Sequence, residues 1–364
     1  MKNLIQRKKF GAAWLAVLAV ATAAAVAVAG IAAGQGKAAP HQFKDPTLEN
    51  GVLTVEGTNA SDTIALRLQD GQPGILQVDV GDNGSADFSF QRREIAEIVV
   101  NPGNGDDSVR IDEGNGVFSD TIPTTINGGN GDDRLVGGAG AVTLNGGNGD
   151  DRLIGGDGNE RLIGGNGNDT IDGNRGNDVA LMGNGDDTFI WDPGDGSDTV
   201  EGQNGNDTMV FNGAPGAEPV DLTANGNRLK FFRQPGAITM DTHEVERVDF
   251  NALGGADVVT VNDLTGTDVN EFNVDLAGSL GGATGDGAAD RVIVNGTNGD
   301  DTIAVSGGIG GVKVSGLVPT VNVFHSEAAN DRLEINTLAG TDTVNSAGLA
   351  AGVIQLFVDG VLVP

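Results

Sequence analysis

A repetitive all-β solenoid is the expectation for this 364-residue chain, and three features carry it. Glycine occupies 60 positions, more than twice the ~7% of an ordinary globular chain. The middle of the sequence falls into a nine-residue period, with one position in each nine apolar. Acidic residues outnumber basic ones 51 to 21, and 38 of the acids are Asp against 13 Glu. Asp has the short carboxylate that fits tight turns and chelates hard cations, whereas solvated helix faces use Glu freely. A net charge of -30 opposes binding to nucleic acid and to anionic membrane surfaces, so neither is an expected partner. The absence of Cys excludes disulfides, Fe–S clusters, thiolate zinc sites and an N-terminal lipoprotein anchor.

Residues 1–33 read as an export signal. Lys2, Arg7, Lys8 and Lys9 precede an Ala-rich apolar run from Phe10 to Ala33, which contains small-x-small sites such as Ala27-Val28-Ala29. The run is long enough to span a bilayer, so an uncleaved anchor is the alternative; no span is expected in the mature chain. Residues 34–50, with Pro40 and Pro46, read as a linker. An N-terminal β module is expected over 51–127, the repeat block over 128–211, and two further β modules over 212–290 and 291–364.

The repeats run in order as GGNGDDRLV (128–136), GGAGAVTLN (137–145), GGNGDDRLI (146–154), GGDGNERLI (155–163), GGNGNDTID (164–172), GNRGNDVAL (173–181) and MGNGDDTFI (182–190). An eleven-residue variant, WDPGDGSDTVE (191–201), leads into GQNGNDTMV (202–210). Nine consecutive copies in register are not what a flexible Gly/Asp linker requires. The pattern resembles the RTX, or haemolysin-type, calcium-binding repeat GGxGxDxUx of secreted bacterial proteins. That resemblance implies a right-handed parallel β-roll, an RTX β-solenoid, with Ca2+ in its turns.

The chemistry of the nonapeptide is consistent with this. Glycines at positions one, two and four permit the positive φ of a tight turn, and the last three residues form a very short strand. Two nonapeptides make one 18-residue coil, so like turns stack on the same side at a strand spacing of about 4.8 Å. A calcium ion sits about 2.3–2.6 Å from each oxygen ligand and therefore fits between two stacked loops, bridging the sixth-position carboxylates and taking backbone carbonyls. One side of the roll carries Asp133, Asp151, Asp169, Asp187 and Asp207; the other carries Val142, Glu160, Asp178 and Asp198. All but Val142 are candidate metal ligands, framing roughly five or six ions. The inward positions are Leu135, Leu144, Leu153, Leu162, Ile171, Ala180, Phe189, Val200 and Met209. One inward side chain per repeat is a thin core against the cost of ordering nine residues, so metal binding is expected to supply much of the folding free energy.

The flanks carry a longer pattern three times. It starts at GTNASDTI (57–64), GQNGNDTM (202–209) and GTNGDDTI (296–303), and closes at GNGDDSV (103–109), GGADVV (254–259) and AGTDTV (339–344). The intervening IAEIVVN (95–101), VERVDFN (245–251) and DRLEINT (331–337) alternate apolar and polar residues and read as half-buried strands. Irregular β-solenoid or β-sandwich-like modules are therefore expected around the roll. Asp107 and Asp301 sit in nearly complete nonapeptides, where an isolated calcium site and a plain turn are both open readings. The segment DVGDNGSAD (79–87) lacks the closing Glu of an EF-hand loop and reads as a hairpin turn.

No catalytic signature stands out. His243 lies in HEVER, where Arg247 replaces the second His of a zinc-protease helix, and neither a nucleophile elbow nor a phosphate-cradling loop is present. The expected function is that of a secreted, non-enzymatic calcium-binding protein with a structural, matrix or adhesive role at a bacterial surface, its partners being calcium and cell-surface or matrix glycans or proteins. The alternative is a calcium-dependent enzyme acting on extracellular polysaccharide, with catalytic carboxylates in the flanking modules. The cleavable-looking N-terminal signal departs from the one-step export that RTX proteins usually resemble and points to the general secretory route.

Overall fold

Two sheets, of 17 and 15 strands, run through residues 43–364, which the computed structural model describes. The proposed export signal and residues 34–42 of the proposed linker lie outside the described residues. The rest of that linker ends in a strand, Thr47–Glu49, paired antiparallel with Val52–Glu56. Among the described residues no helix is long and apolar enough to cross a membrane.

The 18-residue coil sets the register of the repeat block. Arg134, Leu135 and Val136 pair in parallel with Arg152, Leu153 and Ile154 in one sheet, and Thr143, Leu144 and Asn145 with Arg161, Leu162 and Ile163 in the other. All nine predicted inward side chains are fully buried. Each strand has one further inward position, and in most of the repeats it is Gly, as at Gly146, Gly155, Gly164 and Gly173, with Met182 and Trp191 taking it only towards the end of the block. The core of the roll is thin for that reason.

The flanks continue the same two parallel sheets, so the modules are solenoid coils of irregular length. The strand Ser108–Asp112 pairs in parallel with Arg134–Val136, and Thr208–Asn212 with Arg247–Asn251. Extra residues leave the coil as antiparallel hairpins, such as Thr63–Gln69 with Gln72–Val80, or Pro219–Asn225 with Arg228–Arg233. In these coils the second inward position holds a large apolar residue: Val100, Ile111, Phe211, Phe250, Val294 and Ile335 are all buried. Trp191 stacks on Phe211 with ring centroids 4.0 Å apart, and Phe211 contacts Phe231 at 4.5 Å, filling the junction where the roll ends. The three alternating segments form the strands Glu97–Asn101, Arg247–Asn251 and Arg332–Asn336. The 79–87 segment is a turn: the Asp79 carboxylate accepts the N–H groups of Asn83 and Gly84 and pairs with Arg67.

The difference in core thickness predicts where the chain opens first. Hydrogen exchange in calcium-free buffer is expected to deuterate strand amides of 152–156, 161–166 and 170–174 well before those of 291–295 and 332–336, because the former strands bury one apolar side chain each and the latter two. Uniform protection along the solenoid would contradict this.

Candidate metal centre

The sixth-position acids lie at the turn immediately before each short strand. Asp133, Asp151, Asp169, Asp187, Asp207, Glu160, Asp178 and Asp198 are each no more than 2% exposed. One oxygen of each downstream carboxylate accepts the backbone N–H of the acid one coil earlier. Asp133 donates to Asp151 Oδ1 at 2.7 Å, Asp151 to Asp169 at 2.8 Å, Asp169 to Asp187 at 2.6 Å and Asp187 to Asp207 at 2.9 Å. On the other side Glu160 donates to Asp178 at 2.7 Å and Asp178 to Asp198 at 2.8 Å. The predicted ligand set is thus gathered into two ladders.

The second carboxylate oxygen has no partner. Oδ2 of Asp133, Asp151, Asp169, Asp178, Asp187, Asp198 and Asp207, and Oε1 of Glu160, are buried without a hydrogen bond. A buried polar atom normally finds one, so a repeated orphan is the signature of a missing positive ligand. The cradle is visible at the first-position glycines. A Cβ on Gly128 would lie 2.3 Å from Asp133 Oδ2 and 2.6 Å from the Gly146 carbonyl oxygen; on Gly146 it would lie 2.2 Å from Asp151 Oδ2 and 2.7 Å from the Gly164 oxygen. The second and fourth glycines of these turns have positive φ, +118° at Gly129 and +120° at Gly131. The first does not, so Gly128 is required by the space in front of the carboxylate and not, as the repeat alone suggests, by a left-handed backbone. Among the described residues no three acidic or His side chains converge on one point. Two carboxylates per interval leave backbone carbonyls to complete the shell, a donor set of hard oxygens that fits calcium.

The electrostatics agree. Burial, partly offset by the backbone hydrogen bond each carboxylate accepts and reinforced by neighbouring acids, raises Asp169, Asp178 and Asp198 to about 8 and Asp151 and Asp207 to about 7 in the metal-free chain. Burial likewise lifts Glu160 to about 7, and Asp133 and Asp187 to about 6.

Val142 departs from the ladder as its sequence implies. Its Cγ2 would lie 2.8 Å from a Cβ on Gly137, so a methyl group occupies the place a carboxylate oxygen takes beside Gly128. The start of this side is tied instead by Glu113, whose Oε1 accepts the N–H groups of Phe118 and Ser119 while Oε2 accepts that of Ala139.

Three carboxylates that the nonapeptide period did not assign join the first ladder. Asp107 precedes Asp133 and donates its N–H to Asp133 Oδ1, and Asp62 donates to Asp107 Oδ1 across 45 residues. At the far end Asp207 donates to Glu246 Oε2 across 39 residues. Asp301 likewise stacks on Asp342. Two of the three long-pattern copies therefore close on themselves; in the second, Asp207 stacks on Glu246 and not on the GGADVV turn. A sequence signal did exist: an acid, then Arg, Thr or Ser, then an aliphatic residue, as in Asp133-Arg134-Leu135, Glu246-Arg247-Val248 and Asp107-Ser108-Val109.

Asp169 lies between Asp151 and Asp187, so Asp169→Ala is expected to weaken two adjacent calcium intervals and to lower the calcium-dependent melting temperature. Asp132 is exposed and its Oδ1 accepts the Asp150 N–H. Asn168 and Asn206 stand at the equivalent position, so Asp132→Asn should stay within about 0.5 kcal/mol. Equal damage in thermal melts at fixed calcium would shift the register by one.

The raised carboxyls also fix the sign of the pH dependence. They stay protonated in the metal-free fold up to about pH 6–8 but ionise near 3.8 (Asp) or 4.5 (Glu) when unfolded, so the metal-free roll loses stability as pH rises from the lower of these values to the upper. Calcium competes with the same protons. Melts at pH 5.5 and 8.5 should therefore favour the lower pH without metal and the higher pH with saturating calcium; the same order in both would refute the assignment.

No curated protein matches the chain. The family model of the RTX calcium-binding nonapeptide repeat matches in several copies, over residues 127–159, 154–189 and 194–213. These are the coils in which the orphaned carboxylates stack, and the centre of the chain is accordingly an RTX calcium-binding repeat block.

Proposed function

We propose that this is a secreted, non-enzymatic calcium-binding protein whose activity is calcium-dependent folding, serving a structural, matrix or adhesive role at a bacterial surface. The observation that supports the reading most is the row of buried carboxylate oxygens without partners along both ladders. In the roll the eight sequence-predicted acids would hold the ions together with first-position carbonyls. Calcium, when bound, supplies the positive charge that lets neighbouring buried carboxylates ionise together. The chain's own part is to fix one oxygen of each carboxylate on a backbone N–H, to leave the other facing the cradle, and to exclude water from it.

A roll that is stabilised by calcium suits a protein that meets high calcium only after export. Without metal, residues 128–210 carry 16 acids and four Arg, so self-repulsion adds to the ordering cost.

Circular dichroism titrated with calcium should show cooperative gain of β structure in the roll, with magnesium a poor substitute because it demands a smaller octahedral shell. A spectrum unchanged by excess chelator would sink the proposal. Screening the same protein against glycans for binding and for cleavage, with and without calcium, separates the adhesive reading from a polysaccharide-active enzyme.

A further inference from the structure

Beyond the nonapeptide block a third carboxylate ladder runs through the C-terminal coils. Glu218 donates its N–H to Asp257 Oδ1 at 2.7 Å, Asp257 to Asp290 Oδ1 at 2.8 Å and Asp290 to Asp331 Oδ1 at 3.1 Å. The coils between them span 33 to 41 residues, so no short period marks these acids.

The first interval has the features of a built site. Glu218 and Asp257 are each 1% exposed, and Glu218 Oε2 and Asp257 Oδ2 are buried without a hydrogen-bond partner. Gly213 opens a cradle in front of Glu218: a Cβ there would lie 2.5 Å from Glu218 Oε2, 2.8 Å from the Asn251 carbonyl oxygen and 2.9 Å from that of Ala252. Each of those carbonyls already accepts one backbone N–H, from Gly213 and Gly254 respectively, and keeps a lone pair. Glu218 Oε1 is taken up by Arg233, whose Nε donates to it at 2.7 Å, so the guanidinium balances Glu218 and leaves Asp257 uncompensated. The charged groups facing Asp257 are carboxylates, those of Asp290, Glu218 and Asp286.

We infer that Gly213, Glu218, Asn251, Ala252 and Asp257 form a divalent-cation site for calcium, outside the nonapeptide repeats, that pins the hairpin coil of 219–233 onto the C-terminal solenoid. Two carboxylate oxygens and two carbonyl oxygens are an all-oxygen set. The irregular, carbonyl-rich shell favours calcium over magnesium, which requires near-ideal octahedral geometry. The site is independent of the ions in the roll, and the two are counted separately.

The test is bound calcium per chain, measured by equilibrium dialysis at saturating calcium on the full chain. Asp257→Asn keeps an oxygen to accept the Glu218 N–H but removes the charge, and Gly213→Ala keeps every carboxylate while filling the cradle. Each is expected to bind one ion fewer than the unaltered chain with its β spectrum retained, and the loss should add to that caused by Asp169→Ala. Gly213→Ala decides the question if Asp257→Asn fails to fold. Unchanged stoichiometry would overturn the inference and leave Asp257 as a buried, protonated acid. If Asp169→Ala leaves the count unchanged while the two C-terminal variants lower it, the reading of the roll fails and this one stands.

Discussion

The structure depends on a carboxylate that is buried at the turn of nearly every coil and only half satisfied by protein. One oxygen accepts the N–H of the turn before it, which fixes the stacking of successive coils to within a hydrogen bond. The other is enclosed with carbonyl oxygens and has no donor. A column of such groups ionises only at a cost in the absence of a counter-charge, and most of the column is lifted into or near the neutral pH range in consequence. Under the proposed function, folding and cation binding are coupled in the roll.

The rest of the solenoid is arranged around that dependence. Between residues 146 and 173 the second inward position is glycine, and the strands 152–156, 161–166 and 170–174 bury a single apolar side chain each. Where hairpins lengthen the coils, Phe211, Phe231, Phe250, Val294 and Ile335 fill the same space. The roll buries less apolar surface per coil than the flanks, and the Trp191–Phe211–Phe231 cluster fills the junction between the two. Exposed amides reinforce the stacking: Asn148, Asn166 and Asn184 each donate through Nδ2 to the Asn one coil earlier.

How much could be read in advance follows from how far each contact reaches. Inside the nonapeptides, coil length is a property of the chain itself, because two tight turns and two short strands close in 18 residues. Position in the repeat then dictates which acid meets which, and both ladders, all nine inward side chains and the interruption at Val142 were legible. The role of Gly128 was not, since a missing Cβ and a positive φ look the same in a sequence; only the position of Asp133 Oδ2 separates them.

Outside the repeats the same tripeptide signature continues at Glu246, Asp290 and Asp331, yet its spacing carries no register. A hairpin can leave a coil and return without disturbing the parallel pairing, so 26, 39 or 45 residues separate neighbours that touch. Sequence alone determined that acids and glycines alternate with apolar residues on short strands, and hence that the repeat block is a solenoid with hard-cation chemistry, while the flanks stayed open between solenoid and sandwich. Which distant acids share an interval, such as Glu218 with Asp257, was decided by the tertiary structure, because sheet pairing measures distance across strands and not along the chain.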